Sequence, residues 1–591
     1  MPPGSPPLDG SDRGQSQSQS LSLSPDLGLP LEHEQPYMKF SYSDMQNCSV
    51  GFESKGLTQR EIRMMDFMNR VTDKPSWEEK IFDSSIVSEW LEEGRSASTN
   101  YLDGDEFFSK SMYDICIREL RDKAEHMKAT GIVNVMDAEM AIAKSDTIIS
   151  PPLANSLKAA VQVLEDALGD RKDWHPSSDN KVLNLLHPSL YPLIFGTTRV
   201  LPYDKIPLDT CAQFICEGEA TTEFENYPLA GPMPWGLTQW LPSDIEWTET
   251  GPRIVSYINS LHPEDHMDLY KVLEKFVAAA VTMWEECLFP LPQGLPPRIP
   301  WRQTRGIDDS YLLKGMECKV PDEFIIKDSE SPEDKNNYEH SIKHRERLRE
   351  NTVLRWPEPE DYYLRKRCPG NDINFKKDFP SGIQIIFKLS NIQLTPEKPN
   401  YDGGPWHVDG ALNDSIIATA LYYYEMENIT ESRLTFRHPV DEIPLNYAEQ
   451  EGKRSLWRWL GLPEGYELSS QEMQEIGSVL ARPGRFLTFP NAFQHRIEPF
   501  QLQDPTKPGH RKILAMYLVN PGERILSTSV VPPQQKDWWV REVRKIPPFS
   551  DIPMEIFFII VDFVEGYLID WEEALEVRQR FMRTLNWTYQ V

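Results

Sequence analysis

The apolar positions in the first half of the chain recur mostly at helical spacing. Three segments show this period, and Thr58 stands near the start of the first as a candidate N-cap. The segments are residues 57–68, 111–129 and 266–288. We therefore predict a large, mostly helical N-terminal region from residue 37 to residue 375.

The period changes to two after Gly382, where every second residue from Ile383 to Leu389 is apolar. Side chains of a strand alternate between two faces, so this spacing predicts a β-strand. Further short segments rich in β-branched and aromatic residues are 416–424, 434–437, 486–489, 496–500 and 513–519. Several short strands between Gly, Pro and Asn turns are typical of a double-sheet jelly roll.

Together the two patterns predict an α+β protein, with a jelly-roll (double-stranded β-helix) barrel over residues 376–530. The interval 441–482 is too long for a hairpin, and Ser469 with Glu472 resembles a capping box, so we predict a helical insertion there. Helical spacing returns in residues 531–591, which predicts a C-terminal helical segment.

Composition excludes some classes of partner. Residues 1–36 are rich in Ser, Gln and Pro and poor in large apolar groups, so we expect a disordered low-complexity tail. Over the whole chain, 91 Asp and Glu outnumber 62 Lys and Arg, which gives a net charge of −29. Because such a surface repels phosphate backbones and anionic membrane faces, we expect neither nucleic acid nor a membrane as partner.

Cysteine spacing and the chain's N-terminus indicate the compartment. The seven cysteines are scattered and lack Cys-x-x-Cys spacing, which is typical of reduced thiols inside a cell. The first residues show neither the basic nor the apolar part of a signal peptide. The most apolar run, residues 556–561, is far shorter than the roughly 20 residues of a membrane helix. We expect a cytoplasmic protein, with the nucleus as the open alternative.

The candidate chemistry lies in the segment Trp406–Gly410 and in His495. His407 and Asp409 are two positions apart, which on a strand places both side chains on one face. Turns on either side of strand 486–489 predict a hairpin that brings His495 to the mouth of the barrel. Two imidazoles and one carboxylate can hold Fe(II) and leave positions open for cosubstrate and dioxygen. We predict that these three residues are catalytic metal ligands; an ordinary loop His–Asp pair and a core histidine are the alternatives.

A second group of candidates would bind a carboxylate cosubstrate. Arg511 begins the last strong strand, where its guanidinium could grip a dicarboxylate with two N–H groups. Lys512 should face the other way, although the sequence leaves it open. Tyr423 is the candidate phenol beside the cosubstrate, with Tyr422 and Tyr424 as core or surface aromatics.

With these residues in view, the chain resembles the Fe(II)- and 2-oxoglutarate-dependent dioxygenases, close in style to the prolyl-hydroxylase branch. The segments that carry this resemblance are WHVDG, PGRFLTFPNAFQHR and RKILAMYLV. The chain also resembles the mainly fungal family called domain of unknown function 4246, over roughly residues 37–590. The segments that carry this second resemblance are LLHPSLYPLIFG, WLPSDIEW, ENITESRLTFRHPV and VVPPQQKDWW.

The first resemblance implies that His407, Asp409 and His495 bind Fe(II) and that Arg511 pairs with the distal carboxylate of 2-oxoglutarate. It implies that dioxygen oxidises a small organic substrate, in fungal secondary metabolism, while 2-oxoglutarate is converted to succinate and carbon dioxide. Hydroxylation, desaturation and ring closure all fit this ligand set. One departure is that Arg511 follows His495 by 16 residues, a longer gap than usual, which we assign to a polar loop at 503–509.

Other functions remain open at this stage. A scaffold or binding protein could keep the barrel and a metal without catalysis, and a cupin-type enzyme would need no 2-oxoglutarate. The oxygenase could also act on a protein side chain instead of a small molecule. The expected partner is a small-molecule substrate, and the helical N-terminal region could in addition bind a protein.

Overall fold

The computed structural model describes residues 56–96, 108–288, 373–440 and 472–588, with short gaps inside these ranges, and a few brief stretches between them. The gaps are at 139, 170, 203–204, 222–237 and 565–567, and the brief stretches are 297–299, 302–303, 312–313, 358–359 and 460–461. The predicted tail, residues 1–36, lies outside the described residues.

The described helices lie mainly on either side of the strand-rich middle of the chain. They are α1 (Gln59–Val71), α2 (Trp77–Lys80), α3 (Ser84–Ser96), α4 (Lys110–Thr130), α5 (Pro151–Ala167), α6 (Pro263–Leu288), α7 (Phe375–Asp378), α8 (Lys536–Arg544), α9 (Met554–Asp562) and α10 (Trp571–Thr588). The three predicted helical segments are confirmed as α1, α4 and α6. Thr58 caps α1, because its side chain accepts from the N–H of Glu61 at 3.1 Å. Among the described residues, no helix combines the length and apolar character needed to cross a membrane.

Strands occur in both halves of the chain. In the first half they are β1 (Val133–Val135), β2 (Ile142–Ser145), β3 (Asp173–Trp174), β4 (Val182–Leu186), β5 (Leu193–Ile194), β6 (Arg199–Val200), β7 (Glu219–Ala220), β8 (Thr238–Gln239), β9 (Ser243–Thr248), β10 (Gly251–Ile254), β11 (Arg302–Gln303) and β12 (Leu312–Leu313). In the second half they are β13 (Ile383–Leu394), β14 (Asn400–Tyr401), β15 (Ile416–Glu427), β16 (Arg433–Val440), β17 (Glu472–Leu480), β18 (Phe486–Pro490), β19 (Gln494–Ile497), β20 (Phe500–Gln501) and β21 (Gly509–Val519).

Two antiparallel sheets organise the second half. The large sheet has ten described strands in the order β1-β2-β18-β15-β21-β13-β4-β3, with β9 and β10 attached to the start of β13. The small sheet has the order β17-β16-β19. The chain is thus a mixed helix-and-strand protein with antiparallel sheets, as the sequence predicted.

The large sheet is covered on both faces. On one face, Phe387 lies in the same buried cluster as Phe276 of α6. On the other, Tyr517 and Leu487 share a cluster with Phe436 of the small sheet. We call this second face the inner face; the strand registers place on it Ile386, Lys388, Ser390, Ile392, Thr419, Leu421, Tyr423, Arg511, Ile513, Ala515 and Tyr517.

The described strands do not close into a barrel, so the predicted jelly roll is not confirmed. The order of the large sheet is open and ends at β1 and β3. These end strands come from the region predicted as mostly helical, which the sequence analysis did not foresee. Most strands of that region are two to six residues long, too short for an alternating pattern to stand out.

The predicted insertion at 441–482 requires a correction at its end. Residues 472–480 form β17, which pairs with β16 over Arg433–Val440, so Glu472 begins a strand and not a helix. Pairing with an existing strand outweighs the local capping pattern that predicted a helix. Residues 441–459 and 462–471 lie outside the described residues.

A buried ion cluster joins the helical region to the large sheet. Arg485, which is 1% exposed, pairs with Asp73 at 2.8 Å and with Asp146 at 2.7 Å. Lys144 on β2 also pairs with Asp73, at 2.7 Å. Since each buried cation has a carboxylate partner, the cluster offsets its desolvation cost and fixes the N-terminal segment against β18.

We predict that Arg485→Ala lowers the free energy of unfolding by about 3–5 kcal/mol, because it leaves Asp73 near Lys144 without its second cation. Urea titration followed by fluorescence measures the change. Arg541→Ala is the control: its pairs with Glu264 and Asp265 are at the surface and should contribute less than about 1 kcal/mol. Equal midpoints for wild type and the Arg485 variant would contradict the role of the cluster.

The same cluster should make the protein sensitive to acid. Burial alone would raise the pKa of Asp73, but Lys144 and Arg485 outweigh it and hold this pKa below its ordinary value. A carboxyl with a lowered pKa stabilises the fold above about pH 4 and loses that contribution as the pH falls further. Urea midpoints measured between pH 7 and pH 3 should fall more steeply for wild type than for Asp73→Asn.

Candidate metal centre

The structure brings the two distant histidines side by side. His407 and His495 form an isolated antiparallel bridge, with backbone hydrogen bonds of 3.1 and 2.9 Å. Their ring centroids are 4.4 Å apart. His407 lies in the segment before β15 and His495 lies on β19. The bridge therefore joins the segment that leads into the large sheet to a strand of the small sheet.

Asp409 completes a group of three. One ligand atom from each of His407, Asp409 and His495 lies within 4.8 Å of the others. Nε2 of His495 lies 3.7 Å from Oδ2 of Asp409. Asp409 and His495 are buried, whereas His407 is half-buried. Two nitrogen donors and one hard oxygen donor at this spacing fit a transition metal such as Fe(II).

A second group within the described ranges has similar spacing but different chemistry. It comprises His262, Glu264 and Glu542. Both carboxylates are exposed or half-exposed, and they already pair with Arg541 and Lys545. A metal there would have to displace these cations, so we do not regard this group as the metal centre.

Backbone carbonyls set the orientation of both imidazoles. Nδ1 of His407 lies 3.0 Å from the carbonyl oxygen of Pro405, and Nδ1 of His495 lies 3.4 Å from that of Phe493. A ring nitrogen that donates to a carbonyl leaves the lone pair on Nε2, the arrangement that holds metal-binding histidines in position. Burial, and secondarily His407, lowers the pKa of His495 to about 4, so its ring is neutral at pH 7.

Asp409 is held by its backbone and by its side chain. Asn491 accepts from the N–H of Asp409 at 3.0 Å and donates to its carbonyl oxygen at 2.9 Å. Thr419 on β15 donates to Asp409 Oδ2 at 2.8 Å. Gly410 follows with φ of +73°, and a Cβ there would lie 2.7 Å from Ile416 Cδ1. The sharp turn and the amide clamp together fix where the carboxylate points.

The indole ring of Trp406 contacts two arginines of the small sheet. The guanidinium carbons of Arg437 and Arg496 each lie 4.5 Å from the indole centroid. Cation–π contacts of this kind stabilise a ring by about 0.5–1 kcal/mol at exposed sites. We interpret Trp406 as an anchor that limits movement of His407.

Arg511 is a buried cation that has no ion pair within the described residues. It is 1% exposed, and its Nε and Nη1 atoms have no hydrogen-bond partner among the described residues. Its guanidinium carbon lies 4.9 Å from the ring centroid of Tyr423, whose hydroxyl is also buried and unpartnered within the described residues. An unpaired buried charge is costly, so this pair of groups indicates a site for an anion.

The residues next to Arg511 and Tyr423, which are the alternative candidates for the cosubstrate site, contact other parts of the protein. Lys512 pairs with Glu165 at 3.1 Å and with Glu425 at 3.0 Å. Tyr422 packs against Phe276 of the helical layer at 5.0 Å between centroids. The hydroxyl of Tyr424 donates to Asn391 Oδ1 at 3.0 Å. Lys512, Tyr422 and Tyr424 therefore have structural partners, in contrast to Arg511 and Tyr423.

Sequence reasoning missed two residues that act on Asp409. Tyr517 lies on the inner face, and burial together with Asp409 raises the pKa of its hydroxyl well above the ordinary value. Lys388 also lies on the inner face and is acted on electrostatically by Asp409. A signal for Lys388 was present in the sequence, because it is the one lysine in the otherwise uncharged strand β13.

Several solved structures, two of which follow, are similar to part of the chain, and no curated protein matches. The first structure is described as a selenomethionine-labelled Fe(II)/(alpha)ketoglutarate-dependent dioxygenase, TqaL, at 14% identity and a TM-score of 0.15, with 31% of this chain and 53% of that chain covered. The second is a bsmA homologue from Methylobium petroleophilum PM1, at 14% identity and a TM-score of 0.15, with 29% and 57% covered. The chain thus spans little more than half of either protein.

Family models match more of the chain. Residues 24–93 match the N-terminal domain of the family described as protein of unknown function (DUF4246). Residues 110–542 match the main model of the same family. Because this second match alone covers well over half of the 591 residues, the chain belongs to the DUF4246 family.

Proposed function

We propose that this protein is an Fe(II)- and 2-oxoglutarate-dependent oxygenase that oxidises a small organic substrate. The observation that carries the proposal is the convergence of His407, Asp409 and His495 to within 4.8 Å, together with the buried Arg511 on the inner face, whose Nε and Nη1 have no hydrogen-bond partner within the described residues. A metal ligand set alone would suit many enzymes. Arg511, which has no counterion within the described residues, adds a binding site for an anionic cosubstrate.

His407, Asp409 and His495 would hold the metal, which when bound would activate dioxygen with electrons from 2-oxoglutarate. The protein contributes position: Pro405 and Phe493 orient the rings, and Thr419 fixes the carboxylate.

Arg511 and Tyr423 would bind the distal carboxylate of 2-oxoglutarate. A guanidinium offers two parallel N–H donors to a carboxylate, and the phenol hydroxyl adds a third. Both groups lie on the inner face and both are shielded from water. In such surroundings a charged hydrogen bond is worth more than at a surface, so the pair should contribute strongly to cosubstrate affinity.

We also propose that the two sheets form a jelly-roll core around the site. The support is their shared apolar cluster, which includes Leu421, Phe436 and Phe489, and the facing positions of β15 and β19. The inner face is where such folds bind small ligands. The cytoplasmic location and the small-molecule nature of the substrate are part of the same proposal.

Two other functions make different predictions. A cupin-type enzyme would bind metal through the same three residues but gain nothing from 2-oxoglutarate. A scaffold protein would have no use for four polar groups that converge in a buried space, since each costs desolvation. The unpartnered guanidinium of Arg511 favours the oxygenase over both.

We predict that His407→Ala, Asp409→Ala and His495→Ala each weaken Fe(II) binding by more than about 100-fold, because each removes a ligand. Anaerobic calorimetry with Fe(II) measures the affinity, and wild type should bind one equivalent. Thr419→Val keeps the ligand but removes its hydrogen bond, so the loss should be smaller, about tenfold or more. His126→Ala, at a half-exposed histidine outside the site, is the control. Wild-type affinity in any of the three ligand variants would remove the site assignment.

We predict that Arg511→Met weakens 2-oxoglutarate binding by about 10- to 100-fold and leaves Fe(II) binding unchanged, because a charged hydrogen-bond pair is lost. Lys512→Met is the matched control: it removes the adjacent cation, which pairs with Glu165 and Glu425, and should not change cosubstrate affinity. A loss in Lys512→Met and none in Arg511→Met would reverse the assignment, and no loss in either would favour the cupin-type reading.

A further inference from the structure

Lys388 is a second cation on the inner face for which the oxygenase mechanism gives no role. On β13 it lies opposite Ala515, four register positions from the Ile392–Arg511 pair along the same two strands. Opposite residues of an antiparallel pair point to the same side, so Lys388 and Arg511 face one space. Lys388 is half-buried, and its ammonium has no hydrogen bond or ion pair to a residue within the described ranges.

The two carboxylates that act on Lys388 are both engaged elsewhere. Asp173 forms a buried ion pair with Arg578 and accepts from Asn184 at 3.2 Å. Asp409 accepts from Thr419 at 2.8 Å and belongs to the metal centre. Burial lowers the pKa of Lys388, and the two carboxylates, which oppose this shift, do not outweigh it.

Two histidines border the same space: His187 follows Leu186, which pairs with Leu389 next to Lys388, and its ring centroid lies 6.1 Å from that of His175. Burial, followed by the charge of Lys388, lowers the pKa of His175 to about 4 and that of His187 well below its ordinary value. Both rings are thus neutral at pH 7. Nδ1 of His187 accepts from the N–H of Ser189 at 3.2 Å, so its proton lies on Nε2 and makes that atom a donor. Because a neutral imidazole carries no negative charge, neither histidine compensates the positive charge of Lys388.

The charges of the loaded site do not cancel. A divalent metal, Lys388 and Arg511 carry one more positive charge than Asp409 and the dianion 2-oxoglutarate can neutralise. Beside a half-buried ammonium and a buried guanidinium, this surplus favours an anion. Neither metal nor cosubstrate supplies that anion, which leaves the substrate.

We propose that Lys388 binds a carboxylate group of the substrate, with the Nε2–H of His187 as a second donor, so that the enzyme acts on an organic acid. The proposal rests on the proposed function, because the surplus charge arises only when metal and 2-oxoglutarate are bound. Lys388 is here a substrate-binding residue and His187 assists it. In a rival assignment, Lys388 holds 2-oxoglutarate and Arg511 holds the substrate. The experiment distinguishes the two assignments.

The probes are propanoate as the smallest informative carboxylate, propanamide as its uncharged match, and inorganic phosphate. Each is titrated anaerobically into full-length protein saturated with Fe(II) and 2-oxoglutarate. The readouts are calorimetry and the visible charge-transfer band of Fe(II) with 2-oxoglutarate. Saturating cosubstrate occupies Arg511, so a new anion must bind elsewhere.

We expect propanoate to bind wild type and perturb the band, while propanamide does neither. Lys388→Met should weaken propanoate binding about tenfold or more and leave the affinity for 2-oxoglutarate within about twofold. Lys388→Arg should recover part of the loss because it restores the charge. Lys512→Met, which removes a paired lysine on the other face of the sheet, should behave as wild type.

Several results would overturn the proposal. These are equal propanoate affinity in wild type and Lys388→Met, a loss of 2-oxoglutarate binding in that variant, no propanoate binding to the loaded wild type, or binding of phosphate in place of propanoate. If wild type fails to bind 2-oxoglutarate, the proposed function fails first. Propanoate binding to the metal-free protein, compared between wild type and Lys388→Met, then still decides whether the lysine is an anion site.

Discussion

The structure depends on one short backbone contact, the bridge between His407 and His495. Two hydrogen bonds of 3.1 and 2.9 Å fix the segment before β15 against β19. Without this contact the imidazoles would lie on separate, independently moving strands. With it, the ring spacing is set by backbone geometry, and Asn491 places Asp409 in the same frame. The candidate metal centre is therefore built from main-chain constraints, and side-chain hydrogen bonds only refine it.

Within the described part of the chain, buried cations outside the site have carboxylate partners, whereas the two cations on the inner face have none. Arg298 pairs with Glu119 and Asp137, and Arg485 pairs with Asp73 and Asp146. Arg511 has no such partner among the described residues, and neither has Lys388. Because the other buried cations of the described residues have partners, the missing partners of Arg511 and Lys388 are specific to the inner face. Their unpaired state costs stability, and such a cost is expected where ligands bind.

Much of this arrangement could be predicted from the sequence. The helical period of residues 266–288 and the alternation that begins at Ile383 are confirmed as α6 and β13, because both segments are long. The grouping of His407, Asp409 and His495 was predicted from strand parity together with a known ligand pattern. The inward direction of Arg511 and the outward direction of Lys512 follow from the same parity, which the continuous register between β13 and β21 preserves.

Other features could not be predicted, for identifiable reasons. Strands β1 to β4 are short; β2 pairs with β18 and β4 pairs with β13, and such non-local pairing leaves no local pattern. Strand β17 was obscured by a capping pattern at Glu472 that has no effect once the segment pairs with β16. The inward direction of Lys388 followed from the alternation, but its unpaired state could not, since this requires knowing that Asp173 is bound by Arg578.

The most direct test of the central claim is an anaerobic titration of the purified protein with Fe(II) and 2-oxoglutarate, followed by visible absorbance. The account predicts a weak charge-transfer band that needs both components, that is lost in Asp409→Ala, and that requires more 2-oxoglutarate in Arg511→Met. Stoichiometric Fe(II) binding with no band at any concentration of 2-oxoglutarate would contradict it, and would leave a metal-binding protein whose buried arginine serves another ligand.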